Sequence, residues 1–173
     1  RPGRRAAEIM SELLDFLSPD RADAEARWRS PLERGLEHAP PEIADLSLTG
    51  KLDVRGDLDS FDAKGVELVR ITPERGLVLC DFTKTANVRA RLADRFLVVD
   101  LSAALAGLQL RGEALMRRLT DLDLDSLPAV GAVAHVQAYV LRDDAETFRL
   151  FFPQEYGHYL AEVVVDAAEG LRG

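Results

Sequence analysis

Hydrophobic and polar residues alternate most regularly over residues 45–55, in the run DLSLTGKLDVR. The apolar side chains on one side of this run are Leu46, Leu48, Leu52 and Val54. The polar side chains on the other side include Lys51 and Asp53. Because successive side chains of a strand point to opposite faces, the alternation predicts a half-buried strand with one face in water.

Two further stretches have the pattern of antiparallel hairpins. Residues 66–72 and 76–82 are two runs rich in β-forming residues, joined by the short connection Pro73-Glu74-Arg75. Residues 133–142 and 146–152 form a similar pair around Asp143 and Asp144. Short polar connections between such runs are typical of hairpins, so the sequence predicts two of them.

The central part of the chain predicts one buried strand, one helix, and a stretch that is either a short helix or a loop. Residues 96–101, FLVVDL, form a continuous apolar run that is typical of a central strand covered on both faces. Residues 102–119 have apolar side chains at helical spacing and predict a helix, although Gly107 and Gly112 would each weaken it by about 1 kcal/mol. The polar residues 83–95 predict a short helix or a loop.

The two ends of the chain are predicted to be helical. Residues 4–17 have apolar positions at helical spacing, and Ser18-Pro19 and Ser30-Pro31 are pairs that start helices. After Pro153, an apolar stripe predicts a last helix with one buried face. We therefore expect a helical N-terminal segment over residues 1–41 and an α+β domain over residues 42–173. That domain would contain an antiparallel or mixed sheet of about five to seven strands, with the C-terminal helix packed on it.

Net charge, cysteine content and the length of the apolar runs argue against several classes of protein. The chain has 173 residues, a net charge of −8 and a single cysteine, Cys80, which cannot form an internal disulfide. Because nucleic-acid affinity comes largely from Lys and Arg on phosphates, the acidic charge argues against a nucleic-acid partner. No apolar run is long enough to span a bilayer and the first residues do not predict a signal peptide, so we expect a soluble, cytoplasmic protein.

One motif suggests catalysis. Residues 50–53 read GKLD, and the second strand of the following hairpin ends in LVLCDFTK at residues 77–84. This arrangement resembles the PD-(D/E)XK nuclease family, in which two carboxylates hold Mg²⁺ and a lysine positions or activates the attacking water. The resemblance implies that Asp53, Asp81 and Lys84 converge within about 6 Å. The family places its lysine two residues after the acid, whereas here that position is Thr83.

A second resemblance concerns residues 97–103, LVVDLSA. They resemble the strand and turn that precede the regulatory loop of STAS domains, which are small partner-binding modules. The resemblance implies that residues 96–101 form a central strand and that Ser102 is exposed at its end. The following residues, ALAGLQL, do not supply the turn that this family has.

The sequence has no nucleophile elbow, P-loop or dinucleotide-binding glycine pattern. Aromatic and apolar residues are concentrated towards the C-terminus and along one N-terminal stripe, and such residues are enriched at protein interfaces. The predicted interface residues are Trp28, Leu32, Leu36, Phe151, Phe152, Tyr156 and Tyr159. The leading hypothesis is a non-catalytic interaction or assembly subunit of a larger complex, with a protein partner or self-association and no cofactor or metal. The alternatives are a Mg²⁺-dependent nuclease-like domain, active or inactive, and a STAS-like regulatory module.

Overall fold

The computed structural model describes residues 29–172, which contain nine β-strands and three α-helices. The strands are β1 (Ile43–Asp45), β2 (Thr49–Arg55), β3 (Glu67–Thr72), β4 (Arg75–Asp81), β5 (Leu97–Asp100), β6 (Leu105–Arg111), β7 (Ala129–Val133), β8 (Val136–Arg142) and β9 (Thr147–Pro153). The helices are α1 (Thr85–Ala93), α2 (Glu113–Leu119) and α3 (Gly157–Arg172).

The strands form two antiparallel sheets. The five-stranded sheet has the order β1-β6-β9-β8-β7, and the four-stranded sheet has the order β3-β4-β2-β5. Both predicted hairpins are present, as β3-β4 and β8-β9. The predicted α+β class with a C-terminal helix packed on a sheet is confirmed, with the strands divided between two sheets.

The two sheets stack face to face between layers of helix. Side chains of α2 and α3 pack with the outer face of the five-stranded sheet, where Met116 and Val164 share one apolar cluster with Leu108. Helix α1 packs on the outer face of the four-stranded sheet through Val88 and Leu92. The facing sides of the sheets meet in a third apolar cluster formed by Val69, Leu77, Leu79, Leu141 and Phe151. Each sheet is therefore covered on both faces over much of its area.

This stacking changes the environment of β2. Its polar face was expected to be in water, yet Lys51 is 0% exposed and Asp53 is 5% exposed. That expectation is wrong, because this face is turned towards the five-stranded sheet, where Lys51 lies beside Phe151 and Asp53 near Tyr139. Leu48, on the supposedly buried side, is 56% exposed.

Two further predictions are wrong: residues 96–101 do not form a central strand, and residues 102–119 do not form one helix. Strand β5 lies at the edge of the four-stranded sheet and pairs only with β2, whereas β6 is a central strand between β1 and β9. Residues of β6 are buried on both faces, and the resulting continuous apolar pattern is not distinguishable from that of a buried helix. The helical part of this stretch is confined to α2, which follows Gly112 at a φ of +115°.

The same findings contradict the STAS resemblance. The family's order would place residues 96–101 at the centre of the sheet and leave Ser102 exposed. Here β5 is an edge strand, and Ser102 is buried, with its Oγ accepting a hydrogen bond of 2.9 Å from the backbone N–H of Lys51.

The helical N-terminal segment can be followed only in part. Residues 1–28, including Trp28, lie outside the described residues. Residues 31–38 form consecutive turns, and Leu32 is fully buried in the core beside α3. Ser30 begins these turns, since its Oγ accepts the N–H of Leu32 at 3.1 Å. The predicted domain boundary at residue 42 stays a prediction.

Candidate functional site

The nuclease hypothesis depends on whether Asp53, Asp81 and Lys84 meet. In the antiparallel pairing of β2 with β4, Asp53 lies opposite Leu77 and Asp81 lies opposite Thr49. The two carboxylates are therefore four residues apart along the strand pair, or roughly 13 Å. One ion with its ligands cannot bridge that separation, so the structure does not bring the three residues together.

Asp53 has a different role, as the counter-ion of two arginines. Its Oδ1 accepts from Nε of Arg75 at 2.9 Å, and its Oδ2 accepts from Nη2 of Arg75 at 3.2 Å and from Nη2 of Arg55 at 3.1 Å. The hydrogen bond from Arg75 to Asp53 raises the pKa of the Arg75 guanidinium. A metal ion at Asp53 would have to displace these guanidinium groups.

Asp81 and Lys84 lie at the exposed end of β4. Asp81 caps a short 3-10 turn, Phe82–Lys84, by accepting from the backbone N–H and the hydroxyl of Thr83 at 2.8 and 2.6 Å. These two bonds lower the pKa of the Asp81 carboxyl. Residues 29–172 contain no group of three or more His, Cys, Asp or Glu side chains arranged to hold a metal ion.

Lys51 is the chemically unusual residue that sequence reasoning did not single out. Its Nζ donates to the carbonyl oxygens of Ser47 and Thr49, both at 2.8 Å, and lies 5.7 Å from the centre of the Phe151 ring. Burial lowers the pKa of Lys51 to about 8, an effect partly offset by the charges of Asp45 and Asp100. A lysine with a lowered pKa has the electronic character of a nucleophile, but this one is enclosed.

The predicted interface residues separate into two groups. Leu32, Phe151 and Phe152 are fully buried in the core, so their side chains are covered by this chain itself. Leu36 is half-buried against the same core. Tyr156 and Tyr159 are 45% and 44% exposed, and the hydroxyl of Tyr159 donates to Ala134 O at 3.2 Å. These two tyrosines are exposed enough to contact a partner, so for them the interface stays a prediction.

A second exposed apolar feature was missed from the sequence. Leu97 and Val99 of β5 are 62% and 44% exposed. They lie opposite Arg55 and Asp53 of β2, on the face of the four-stranded sheet that elsewhere packs against the other sheet. The sequence carried no signal for this exposure, because an apolar run of this length is equally typical of a central strand.

No protein-family model and no curated protein sequence matches this chain. Its fold is similar to that of a chain of the heterotetrameric sarcosine oxidase from Corynebacterium sp. U-96. The TM-score is 0.64 at 17% identity, over 84% of this chain and 97% of that chain.

The fold is also similar to aminomethyltransferase T of the glycine cleavage system from Bartonella henselae, with a TM-score of 0.53 at 15% identity. That match covers 78% of this chain but only 48% of the transferase, so this chain spans about half of its length. At these identities the likeness shows the fold alone. Within residues 29–172, no helix combines the length and apolar character needed to cross a membrane.

Proposed function

We propose that this chain is a non-catalytic subunit that binds a larger catalytic chain in a heteromeric enzyme. The observation that carries the proposal is the match to 97% of one chain of a heterotetrameric oxidase. In that assembly, a chain with almost only this fold is a component of its own. We extend the proposal to an oxidase that acts on small amines, as the named relative does.

The chemistry of the described residues supports a non-catalytic role. The Asp53 carboxylate accepts hydrogen bonds from the guanidinium groups of Arg55 and Arg75. Lys51 is buried between the sheets, and its ammonium donates to two backbone carbonyls. A catalytic acid, base or nucleophile needs to reach a substrate within hydrogen-bond distance. Neither of these buried groups is open to one.

The exposed side of β5 is the proposed contact surface for the catalytic chain. We define the β5 surface by Leu97, Val99 and Arg55, which are in register across β5 and β2. An edge strand presents unpaired backbone N–H and C=O groups beside these apolar side chains. Such an edge favours association with another chain, which would bury Leu97 and Val99 and give Arg55 a second carboxylate partner beside Asp53.

The experiment is purification of the tagged full chain from its source under native conditions. Mass spectrometry and light scattering would identify the partner and its stoichiometry. We expect a stoichiometric complex with a larger chain that has amine oxidase activity, and no turnover by the isolated chain. A strict monomer with no partner would overturn the proposal.

The position of the interface is tested with single substitutions in that complex. Leu97→Arg should weaken association by about tenfold or more, because a buried apolar contact is replaced by a desolvated charge. Leu48→Arg is the matched control, since Leu48 is similarly exposed but directly precedes Thr49, the first residue of β2, whereas Leu97 pairs with Arg55 at the strand's other end. Equal weakening by both substitutions would exclude the β5 surface, and weakening by Tyr159→Ala alone would place the interface at α3.

A further inference from the structure

A basic cavity lies on the other side of the four-stranded sheet, between helix α1 and the loop that follows β2. Its volume is about 430 Å³, and it is lined by Lys64, Gly65, Lys84, Asn87, Val88 and Arg91. Three of these side chains are cationic and none is a carboxylate. Two of the three lysines of the whole chain are therefore found here, in a protein with a net charge of −8.

Hydrogen bonds hold the loop and the helix in place around this cavity. Nη1 of Arg91 donates to the backbone carbonyl of Lys64 at 3.0 Å, and the N–H of Lys64 donates to Oδ1 of Asp62 at 3.1 Å. Gly65 has a φ of +73°, a conformation that side chains disfavour, and a Cβ there would meet no atom within 4 Å. The wall of the cavity at Gly65 therefore faces open space.

Among the described residues, the cations of the cavity form none of the ion pairs that several arginines elsewhere form. Arg70, Arg117 and Arg142 form ion pairs with acidic side chains. Within residues 29–172, neither Lys64 nor Lys84 forms one. The charge of Lys84 does act on the Asp81 carboxyl, but that carboxyl is hydrogen-bonded to Thr83. Three like charges repel each other, and a bound anion would relieve that repulsion.

We propose that this cavity binds a small ligand that carries phosphate groups. Lysine ammonium groups act as point charges towards phosphate oxygens, and the guanidinium of Arg91 adds a planar donor fork. The amide of Asn87 offers a further donor. The volume lies within the range of small-molecule sites, about 300 to 1,000 Å³. This inference is independent of the proposed subunit role.

The test is isothermal titration calorimetry of the full chain with pyrophosphate at low salt. We expect the wild-type chain to bind pyrophosphate with submillimolar affinity. That affinity should fall by about tenfold in Lys84→Ala and in Lys64→Ala, because each substitution removes one charge-assisted contact. Arg89→Ala is the matched control, because Arg89 is an exposed cation of the same helix that does not line the cavity. It should change the affinity by about twofold or less, as expected for a solvent-screened charge outside the cavity.

Three results would overturn the assignment. The first is the absence of pyrophosphate binding up to millimolar concentration. The second is equal weakening of binding by Arg89→Ala and Lys84→Ala, which would reflect general attraction of anions. The third is tighter binding of hexaglutamate than of pyrophosphate, since the cavity would then be a site for acidic polypeptide. Circular dichroism of each variant confirms that the fold is retained.

Discussion

At the scale of single residues, Lys51 departs furthest from ordinary behaviour. Its side chain is buried between two sheets, where a charged ammonium loses its hydration. Two backbone carbonyls and the face of Phe151 replace part of that hydration. The replacement is incomplete, and the pKa of Lys51 is accordingly lowered from 10.5 to about 8.

Lys51 should make stability depend on pH. Below about pH 8 the lysine is protonated in both the folded and the unfolded chain, so it adds no slope. Between about pH 8 and 10.5 the unfolded chain binds more protons, and the free energy of unfolding should rise with pH, by roughly 3 kcal/mol at most. Lys51→Met should remove this rise, as measured by urea denaturation at several pH values.

The control for that measurement is Lys64→Met, which removes an exposed ammonium. Its stability should follow the wild-type pH dependence. If the Lys51→Met curve also runs parallel to wild type, the pKa of Lys51 is not lowered in the folded chain.

At the scale of elements, the close crossing of the β1–β2 connection over β6 depends on Gly107. The N–H of Leu46 donates to Gly107 O at 2.8 Å, and the N–H of Gly107 donates to Ser47 Oγ at 3.2 Å. A Cβ at residue 107 would lie 2.8 Å from Leu46 O and 3.0 Å from a ring carbon of Phe151. A glycine that would weaken a helix is therefore required in this strand.

Gly107→Ala should destabilise the fold by about 2 kcal/mol, because backbone and a buried ring would have to move.

Gly170→Ala is expected to have the opposite effect on the free energy of unfolding. Gly170 lies in helix α3, where its nearest neighbour is the flexible end of Arg118, and alanine should stabilise the fold by up to about 1 kcal/mol. Thermal unfolding of both variants checks the two signs, and a destabilisation of similar size in both would contradict this account of Gly107.

At the scale of the whole molecule, charged groups join the two sheets at the borders of the apolar layer. Arg75 of β4 links Asp53 of β2 to the hydroxyl of Tyr139 in β8, which it contacts at 3.0 Å. Arg149 of β9 donates to Glu67 of β3 at 2.7 and 2.8 Å. Hydrogen bonds from charged groups are stronger than neutral ones, so these links orient the sheets beyond what apolar burial alone would do.

Asp53→Asn should destabilise the fold by about 2 to 3 kcal/mol, because it leaves two guanidinium groups without their buried counter-ion. Asp59→Asn is the matched control, since Asp59 pairs with Arg70 at an exposed position, and it should change stability by about 0.5 kcal/mol or less. Chemical denaturation measures both. An Asp53→Asn variant as stable as Asp59→Asn would show that the link from Asp53 through Arg75 to Tyr139 does not hold the sheets together.

The sequence by itself determined the elements whose signals are local. The β3–β4 and β8–β9 hairpins follow from β-rich runs joined by short polar turns, and α3 follows from an apolar stripe at helical spacing. The α+β class follows from these elements together. Each of these signals lies within a window of about 15 residues, which is the range over which periodicity acts.

The tertiary structure alone decided what each face touches. The alternation in β2 predicts a strand and a strand is present, but the polar face of β2 is covered by residues about 100 positions away, such as Phe151. The same long-range packing buries β6 and leaves β5 at an edge, although both have apolar sequences. It also turns Asp53 from a candidate metal ligand into a counter-ion and brings Lys64, Lys84 and Arg91 around one cavity. Burial is set by contacts between segments distant in sequence, and local periodicity carries no information about them.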